Sequence, residues 1–219
     1  MTDSLWKWNN HTRYLPPVQT WGFVCDRIDA RIDDGEWSQT DYDDRNWASA
    51  IAIDGKKWGP LSSRSIPLLA ETEMGWKPLN NKDLPVKLSA GQSYIIKANE
   101  MIQGFPVIQL DSMEKIFPYL EKGAVIQIEL GYTGDSTSVS DTYGAACYYT
   151  ARSGTQVYAP TDSYGFRYLK IKVLSGNILL KQIKFIDRRY PYLETGSFEC
   201  SDPFLNELWK RCSLTLKLN

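Results

Sequence analysis

Apolar and polar residues alternate along most of the chain, which is the pattern of half-buried β-strands. The alternating segments are short and separated by turn signals, and they show no βαβ rhythm. This spacing favours an antiparallel sandwich of the jelly-roll type over a parallel sheet. The segments predicted as strands are residues 20–32, 71–79, 84–98, 104–111, 124–132, 146–151, 155–160, 166–174 and 178–192.

The apolar period changes from that of a strand to that of a helix close to the C-terminal end. Asp202 is a natural N-cap, and Pro203 suits the first helical position. An amphipathic helix is therefore expected to begin there, with one apolar face. The residues of that face are Leu205, Leu208, Trp209, Cys212 and Leu216.

These patterns divide the chain into three parts. Residues 1–20 are polar and marked by prolines, and we expect them to form an extended lead-in. Residues 21–192 form the predicted sandwich domain, and residues 193–219 form a linker followed by the helix. A further short helix is expected within residues 112–123, where Pro118 limits its length.

Charge and hydropathy argue against two classes of partner. The formal net charge is −1 and the sequence has no basic block, so a nucleic-acid surface is not expected. No apolar run reaches the roughly 18 residues of a membrane span, so no membrane partner is expected. The N-terminal residues lack the apolar core of a signal peptide, which fits either a cytosolic protein or a segment of a longer exported one.

The four cysteines and the single histidine give no metal-binding pattern. Cys25, Cys147, Cys200 and Cys212 form no closely spaced pair, and His11 has no second histidine to join it. Neither a metal nor a cofactor is therefore expected. The cysteines are interpreted as small apolar residues of the core, and one disulfide remains the alternative.

Aromatic residues make up 13% of the chain, and large rings either fill sandwich cores or stack on the apolar faces of sugars. Trp58, Trp76 and Tyr149 lie near predicted loops or strand ends, and Arg152 follows Tyr149 closely. These four residues are the candidates for carbohydrate binding, with core packing as the alternative for each ring. Arg167 lies between two aromatic residues on a predicted strand, and its fork could hold a sugar hydroxyl or carboxylate. A structural role for Arg167, stacking on a ring or pairing with an acid, is favoured.

An acidic stretch at residues 33–44 could supply oxygen ligands for calcium, but it lacks the spacing of an EF-hand. We interpret it as a solvated turn, with the rings of Trp37, Tyr42 and Trp47 pointing inward. The sequence has no nucleophile elbow, no glycine-rich phosphate loop and no spacing that nominates a pair of catalytic carboxylates. No catalytic residue is therefore assigned.

Several stretches, taken in order, resemble the N-terminal region of bacterial α-L-rhamnosidases of glycoside hydrolase family 78. Residues 33–50, with a Trp, Asp-Asp and a second Trp, resemble galactose-binding-like β-sandwich domains that accompany glycosidases. Residues 58–71 and the Gly-Phe-Arg-Tyr strand at 165–168 are similar to later segments of the family. Residues 190–219 resemble the junction at which the family's sandwich ends and the first helix of its catalytic domain begins.

The resemblance implies a galactose-binding-like jelly-roll domain that is truncated just inside an (α/α)6 catalytic domain. The family's catalytic acids lie beyond this junction, and no position of this chain matches them. Glu199 and Asp202 belong to the junction motif and are interpreted as capping and structural residues. The location of the parent enzyme, whether periplasmic, extracellular or cytoplasmic, is left open.

The first functional hypothesis is a non-catalytic accessory domain that packs beside the missing catalytic domain and binds a rhamnose-containing glycan. The parent enzyme would hydrolyse terminal α-L-rhamnosides. One alternative is a small active glycosidase whose carboxylates include Asp41, Asp43 and Asp44, and another is a protein-interaction module. The apolar stripe of the final helix also predicts dimerisation through self-pairing.

Overall fold

The all-β class predicted from the alternation is confirmed. The structure is a computed structural model, and within the residues that it describes the chain forms β-strands and one α-helix. The described residues are 5–10, 12–20, 23–32, 37, 39–52, 59–60, 62–80, 82–112, 123–140 and 146–218.

Most strands follow the predicted segments, and the helix begins at the predicted residue. In chain order the elements are β1 (Lys7–Trp8), β2 (Val18–Thr20), β3 (Phe23–Cys25), β4 (Arg27–Asp29), β5 (Ala48–Ser49), β6 (Ala70–Met74), β7 (Trp76–Pro78), β8 (Val86–Ser89), β9 (Ser93–Ser112), β10 (Val125–Gly131), β11 (Thr133–Gly134), β12 (Val139–Ser140), β13 (Ala146–Thr150), β14 (Gly154–Tyr158), β15 (Tyr164–Ser175), β16 (Asn177–Arg189) and α1 (Pro203–Leu218).

The main sheet has ten strands and curls around the apolar core. Seven of its strands follow the order β4-β13-β10-β15-β9-β16-β6, while β7 and β14 pair with β9 and β8 pairs with β16. All of these pairings are antiparallel except that of β4 with β13, which is parallel. The remaining strands form three two-stranded sheets, β1-β5, β2-β3 and β11-β12.

The alternation predicts one strand at 84–98 and another at 104–111. The first segment is divided between β8 and the start of β9, and β9 continues through the whole of the second. Gly104 allows the continuation, because β9 passes very close to β16 at this point. A Cβ atom added to Gly104 would lie 1.9 Å from the backbone oxygen of Ile186. A residue with a side chain could occupy that position only if β9 and β16 moved apart.

The core is built from the alternate residues of the long strands, as period-2 patterning requires. Phe166 on β15 and Phe185 on β16 are both fully buried. Their rings meet edge to face, with centroids 5.1 Å apart and an interplanar angle of 88°. This is a favoured geometry for two aromatic rings, and it fixes the centre of the core.

The inward orientation expected for the aromatic residues of the acidic stretch is wrong for Trp37, whose side chain is 61% exposed. Tyr42 and Trp47 instead pack on one another, with ring centroids 5.6 Å apart. The physical reason lies in the pairing of β5, the strand that follows Trp47. It pairs with β1 and not with the ten-stranded sheet, so the stretch has its own small cluster outside the main core.

Three expectations fall outside the described residues. The short helix expected within 112–123 falls almost entirely on residues 113–122, which are not among them. His11 and Trp58 are not among them either. Of the acidic stretch, residues 33–36 and 38 also lie outside, and three of the six carboxylates of its calcium alternative are among them.

Asp135 organises the turn between β11 and β12, and its titration should be measurable. The Thr137 hydroxyl donates to Asp135 Oδ1 at 2.6 Å, and the amides of Thr137 and Ser138 donate to the same oxygen at 2.7 and 2.9 Å. These hydrogen bonds, that of the Thr137 hydroxyl above all, lower the pKa of Asp135 from 3.8 to about 2.

Since the folded-state pKa of Asp135 is depressed, its contribution to stability is fully present above pH 3.8 and is lost as pH falls through about 2. A carboxyl ¹³C titration of the folded protein should therefore give a midpoint near 2 for this group. Thr137→Val, which removes the hydroxyl donor and keeps the shape, should raise the midpoint. A wild-type midpoint near 3.8 would contradict the hydrogen-bonding pattern.

Candidate functional site

Helix α1 begins at Pro203 and is capped as the sequence predicts. The carboxylate of Asp202 accepts a hydrogen bond of 2.8 Å from the backbone N–H of Phe204. A second contact was not predicted: Asn206 exchanges two hydrogen bonds with the backbone of Cys200, at 2.9 and 2.7 Å. Together these contacts fix the direction in which the chain enters the helix.

The apolar face of α1 is exposed, and no residue of the helix is buried. Phe204, Leu208 and Leu216 are 70%, 46% and 67% exposed. The linker that precedes the helix folds back along it, where Tyr192 Oη donates to the carbonyl oxygen of Leu216 at 3.0 Å and Lys217 forms an ion pair with Glu194. The helix is thus held by its own linker and presents most of its apolar residues to solvent.

A cleft of about 800 Å³ lies between strands β9, β15 and β16 of the sheet, the linker and α1. The sheet contributes charged and amide side chains, and the linker and helix contribute carboxylates, basic residues and rings. The lining residues used below are Asn99, Glu100, Arg167, Arg189, Tyr192, Glu194, Glu207, Trp209 and Lys217.

Arg167 reaches the cleft because the β9–β15 pairing shifts register beside it. Phe166 pairs with Ile102, but Tyr168 pairs with Lys97, so β9 has extra residues opposite Arg167. Irregularities of this kind re-aim side chains at the edges of functional sites. Arg167 Nη2 donates to the backbone oxygen of Asn99 at 3.2 Å, while its buried Nε has no hydrogen-bond partner among the described residues.

Arg189 forms the second basic position of the cleft. Its Nη2 donates to Glu100 Oε1 at 3.1 Å and to the backbone oxygen of Met101 at 3.3 Å, and its Nε forms an ion pair with Asp187. Burial raises the pKa of Asp187, against the opposing effects of the amide of Gln103 and of the Arg189 guanidinium. The two residues therefore brace the end of β16 against β9.

The carboxylates that line the cleft are engaged in ion pairs. Glu100 pairs with Arg189, Glu207 pairs with Arg211 at 2.7 Å, and the hydrogen bond and charge of Lys217 lower the pKa of Glu194. A general acid in glycoside hydrolysis needs the opposite, a carboxyl group with a raised pKa. The arrangement suits hydrogen bonding to a polar ligand better than proton transfer.

The carbohydrate-binding candidates do not gather at this cleft. Trp76 is half-buried, its Nε1 donates to the backbone oxygen of Ile183 at 3.1 Å, and its ring packs against the core. Tyr149 is 4% exposed and donates to Gln156 Oε1 at 3.0 Å, so its ring faces protein and not solvent. Arg152 is exposed at the turn after β13, where its backbone is bonded to Gln156.

The strands that carry these candidates are far apart in the sheet order, because β9, β15 and β10 lie between β7 and β13. Of the residues singled out from the sequence, Arg167 and the helix residues Trp209 and Leu216 line the cleft. Asn99, Glu100 and Arg189 were missed. The Asp-Arg-Arg run that closes the apolar strand β16 was the available signal for Arg189, since strand ends often carry the polar groups of a site.

The described residues hold neither a metal-binding cluster nor a membrane-spanning helix. No group of three or more His, Cys, Asp or Glu side chains there is arranged to hold a metal ion. The helix in that part of the chain falls short of the length and apolarity needed to cross a membrane.

The curled, largely antiparallel sheet around one apolar core makes this a β-sandwich domain, and the polar cleft lies beside its strands β9, β15 and β16. The chain is homologous to α-L-rhamnosidases of glycoside hydrolase family 78, and it matches their N-terminal region. The resemblance noted from the sequence is thereby confirmed. No protein-family model matches the chain.

The homology rests on sequence and on solved structures. The chain is 29% identical over 194 residues to an α-L-rhamnosidase of Formosa agariphila, a match that covers 84% of this chain and 19% of that protein. It is 26% identical to the family 78 rhamnosidase of Bacillus sp. GL1, with a TM-score of 0.50 over 63% of this chain and 14% of that one. The α-L-rhamnosidase of Dictyoglumus thermophilum, at 20% identity, shares the fold with a TM-score of 0.64 over 95% of this chain and 22% of its own. The chain thus spans about a fifth of the length of the curated relative.

Proposed function

We propose that this chain is a non-catalytic accessory β-sandwich domain of an α-L-rhamnosidase-like glycoside hydrolase, and that it binds carbohydrate. The observation that carries the proposal is the match to an α-L-rhamnosidase over 84% of the chain, which corresponds to only 19% of that enzyme. The parent enzyme would hydrolyse terminal α-L-rhamnosides with residues outside this region. The sandwich would pack beside the catalytic domain.

The carboxylates of the chain support a non-catalytic role. Glycoside hydrolysis needs two free carboxyl groups, one held protonated and the other ionised. In the cleft, Glu100 and Glu194 are paired with Arg189 and Lys217. An acid that already forms an ion pair is poorly placed to donate a proton to a leaving group.

The acidic stretch offers little support for the alternative of a small active glycosidase. Asp43 forms an ion pair of 2.6 Å with Arg45, whose hydrogen bonds lower the pKa of that carboxyl group. Asp44 forms an ion pair of 2.8 Å with Lys7 on β1. Both carboxylates therefore stabilise the local structure through ion pairs, which is a structural role and not a catalytic one.

The cleft beside α1 has the groups that a sugar ligand requires. Arg167 lines the cleft, and the planar fork of its guanidinium suits vicinal hydroxyl groups. Trp209 is 43% exposed, and Tyr192 is 49% exposed at the linker side. Rings with one free face can stack on the apolar face of a deoxy sugar such as rhamnose.

Two assays on the purified 219-residue protein test the proposal. With an aryl α-L-rhamnoside as substrate, we expect no hydrolysis above the buffer rate, and reproducible turnover would contradict the non-catalytic role. With L-rhamnose and a rhamnose-containing oligosaccharide, an NMR titration should shift the Trp209 indole signal and saturate. D-glucose at the same concentrations serves as the control sugar.

Two variants distinguish binding in the cleft from binding at Arg152, one of the carbohydrate-binding candidates predicted from the sequence. Arg167→Ala should weaken binding about tenfold or more, since a hydrogen bond to a charged group contributes about 1.5–3 kcal/mol. Arg152→Ala removes a guanidinium at the turn after β13 and should leave binding unchanged. If Arg152→Ala weakens binding and Arg167→Ala does not, the ligand lies at the turn and the cleft assignment is wrong.

The exposed apolar residues of α1 that do not line the cleft, Leu205 and Leu208 among them, also need a partner, and we assign them to the rest of the parent enzyme. The chain corresponds to 19% of its curated relative, so the larger part of such an enzyme is available to cover the helix. Light scattering of the 219-residue protein should then give a monomer. A stable dimer that Leu208→Glu dissociates would favour self-pairing of the helix instead.

A further inference from the structure

Two buried cysteines meet where the N-terminal segment joins the main sheet. Strand β4 lies parallel to β13, with Arg27 paired to Tyr148, and the N–H of Tyr148 donates to the backbone oxygen of Asp26 at 2.8 Å. Cys25 directly precedes Asp26, and Cys147 directly precedes Tyr148. The register of β4 and β13 thus brings Asp26 beside Cys147, and Cys25 lies one residue before Asp26 at the end of β3.

Their side chains point into the same part of the core. Cys25 is 1% exposed and Cys147 is 2% exposed, and the two thiols are hydrogen-bonded to one another. Cys147 Sγ also donates to Tyr164 Oη at 3.8 Å, and that hydroxyl donates to the backbone oxygen of Val24 at 3.1 Å. Strands β3, β13 and β15 thus hold the two sulfur atoms together.

We propose that Cys25 and Cys147 form a disulfide bond when the protein meets a small disulfide oxidant such as oxidised glutathione. The bond fixes the β2–β3 hairpin to the ten-stranded sheet. The disulfide should stabilise this hairpin more than any other element, because the strands of the hairpin pair with each other and belong to no larger sheet.

The reactivity of the pair follows from the same contacts. The thiolate is the attacking form of a cysteine, and the hydrogen bond with Cys25 lowers the pKa of Cys147 to about 7, against the effect of burial. An oxidant reaches the buried sulfur atoms when the small hairpin opens, and peripheral elements open at a lower free energy than the whole domain.

The reaction balances as two thiol–disulfide exchanges. The thiolate of Cys147 attacks one sulfur of oxidised glutathione, forms a mixed disulfide and releases one glutathione thiolate, which takes up a proton. The thiolate of Cys25 then attacks Cys147 Sγ and releases the second glutathione. The protein loses two electrons and two protons, and oxidised glutathione gains them as two thiols.

The other two cysteines must be removed before the bond can be assigned. Cys200 is half-buried on the linker and Cys212 is exposed on the helix, so either could react with the oxidant without reporting on the core. A background carrying Cys200→Ser and Cys212→Ser leaves Cys25 and Cys147 as the remaining thiols.

In this background the folded protein is incubated with reduced or with oxidised glutathione, denatured and alkylated with N-ethylmaleimide. We expect two labels after the reduced buffer and none after the oxidised one, together with a tryptic fragment that joins the peptides of Cys25 and Cys147. The Tm of the oxidised protein should be higher by about 5 °C or more.

Cys25→Ser in the same background serves as the control and should show no rise of the Tm in the oxidised buffer. Persistent labelling of both cysteines, or glutathione that stays bound to Cys147, would overturn the proposal. So would a bond that forms without raising the Tm, since the hairpin would then not be stabilised. The peptide mapping needs no core variant, so it remains decisive even where Cys25→Ser folds poorly.

Discussion

Phe185→Ala is expected to destabilise the domain by about 3–5 kcal/mol, because it leaves a large cavity in a region that is fully buried. The ring of Phe185 contacts that of Phe166 edge to face at 5.1 Å, so the change also removes an aromatic pair. The loss is a large part of the total stability of a typical domain. Urea unfolding followed by tryptophan fluorescence measures it as a decrease of the midpoint.

The matched control for this change is Phe204→Ala, which removes the same side chain from a position that is 70% exposed on α1. Its effect on the unfolding of the sandwich should be below about 0.5 kcal/mol, as for surface substitutions in general. If the two variants had similar midpoints, Phe185 would not lie in the core. An unchanged m-value would show that neither the folded nor the unfolded state has changed in compactness.

Gly104→Ala should be the second strongly destabilising change, with a loss of about 3 kcal/mol or more. The new Cβ would lie 1.9 Å from the backbone oxygen of Ile186 and 3.0 Å from the Cα atom of Asp187. Both contacts are with backbone atoms, so no side-chain rotation relieves them, and β9 and β16 must separate. Amide hydrogen exchange should show faster exchange for both strands around this position.

Gly165→Ala provides the control, because Gly165 lies on the strand beside Gly104 and pairs with Gln103. Its added Cβ would meet the Gln103 side-chain oxygen at 3.2 Å and the Tyr132 ring at 3.4 Å. The end of a flexible side chain can move by a few tenths of an ångström, so a loss below about 1 kcal/mol is expected. If both variants lowered the free energy of unfolding equally, the close approach of β9 and β16 would not be the reason that glycine is required at position 104.

Hydrophobic alternation predicts the long strands of this fold well, since their buried and exposed residues alternate along their length. In β15 the fully buried residues Leu169, Ile171 and Val173 alternate as the pattern requires. The same rule could have placed Tyr149 correctly. It lies two positions from both Cys147 and Ala151, which are small buried residues on the same face of β13 and its continuation.

Alternation cannot predict how strands pair, and the cleft depends on that pairing. The buried positions of β15 change phase between Phe166 and Leu169, where its register with β9 shifts. This change marks an irregularity in β15, but it does not identify Asn99 as the residue that Arg167 contacts across the sheet. The contact of Glu100 with Arg189 is likewise between residues far apart in sequence. Local sequence predicted the cap of α1 because the cap involves neighbouring residues.

The parallel pairing of β4 with β13 has a consequence for synthesis of the protein on the ribosome. Strand β4 emerges early, but the strand on which it forms its hydrogen bonds is made only after most of the sheet. The nascent β4 segment must therefore wait without its partner while β6 to β10 are made, and contacts of such high sequence separation form slowly. Docking of this segment is expected to be among the last events in maturation of the domain.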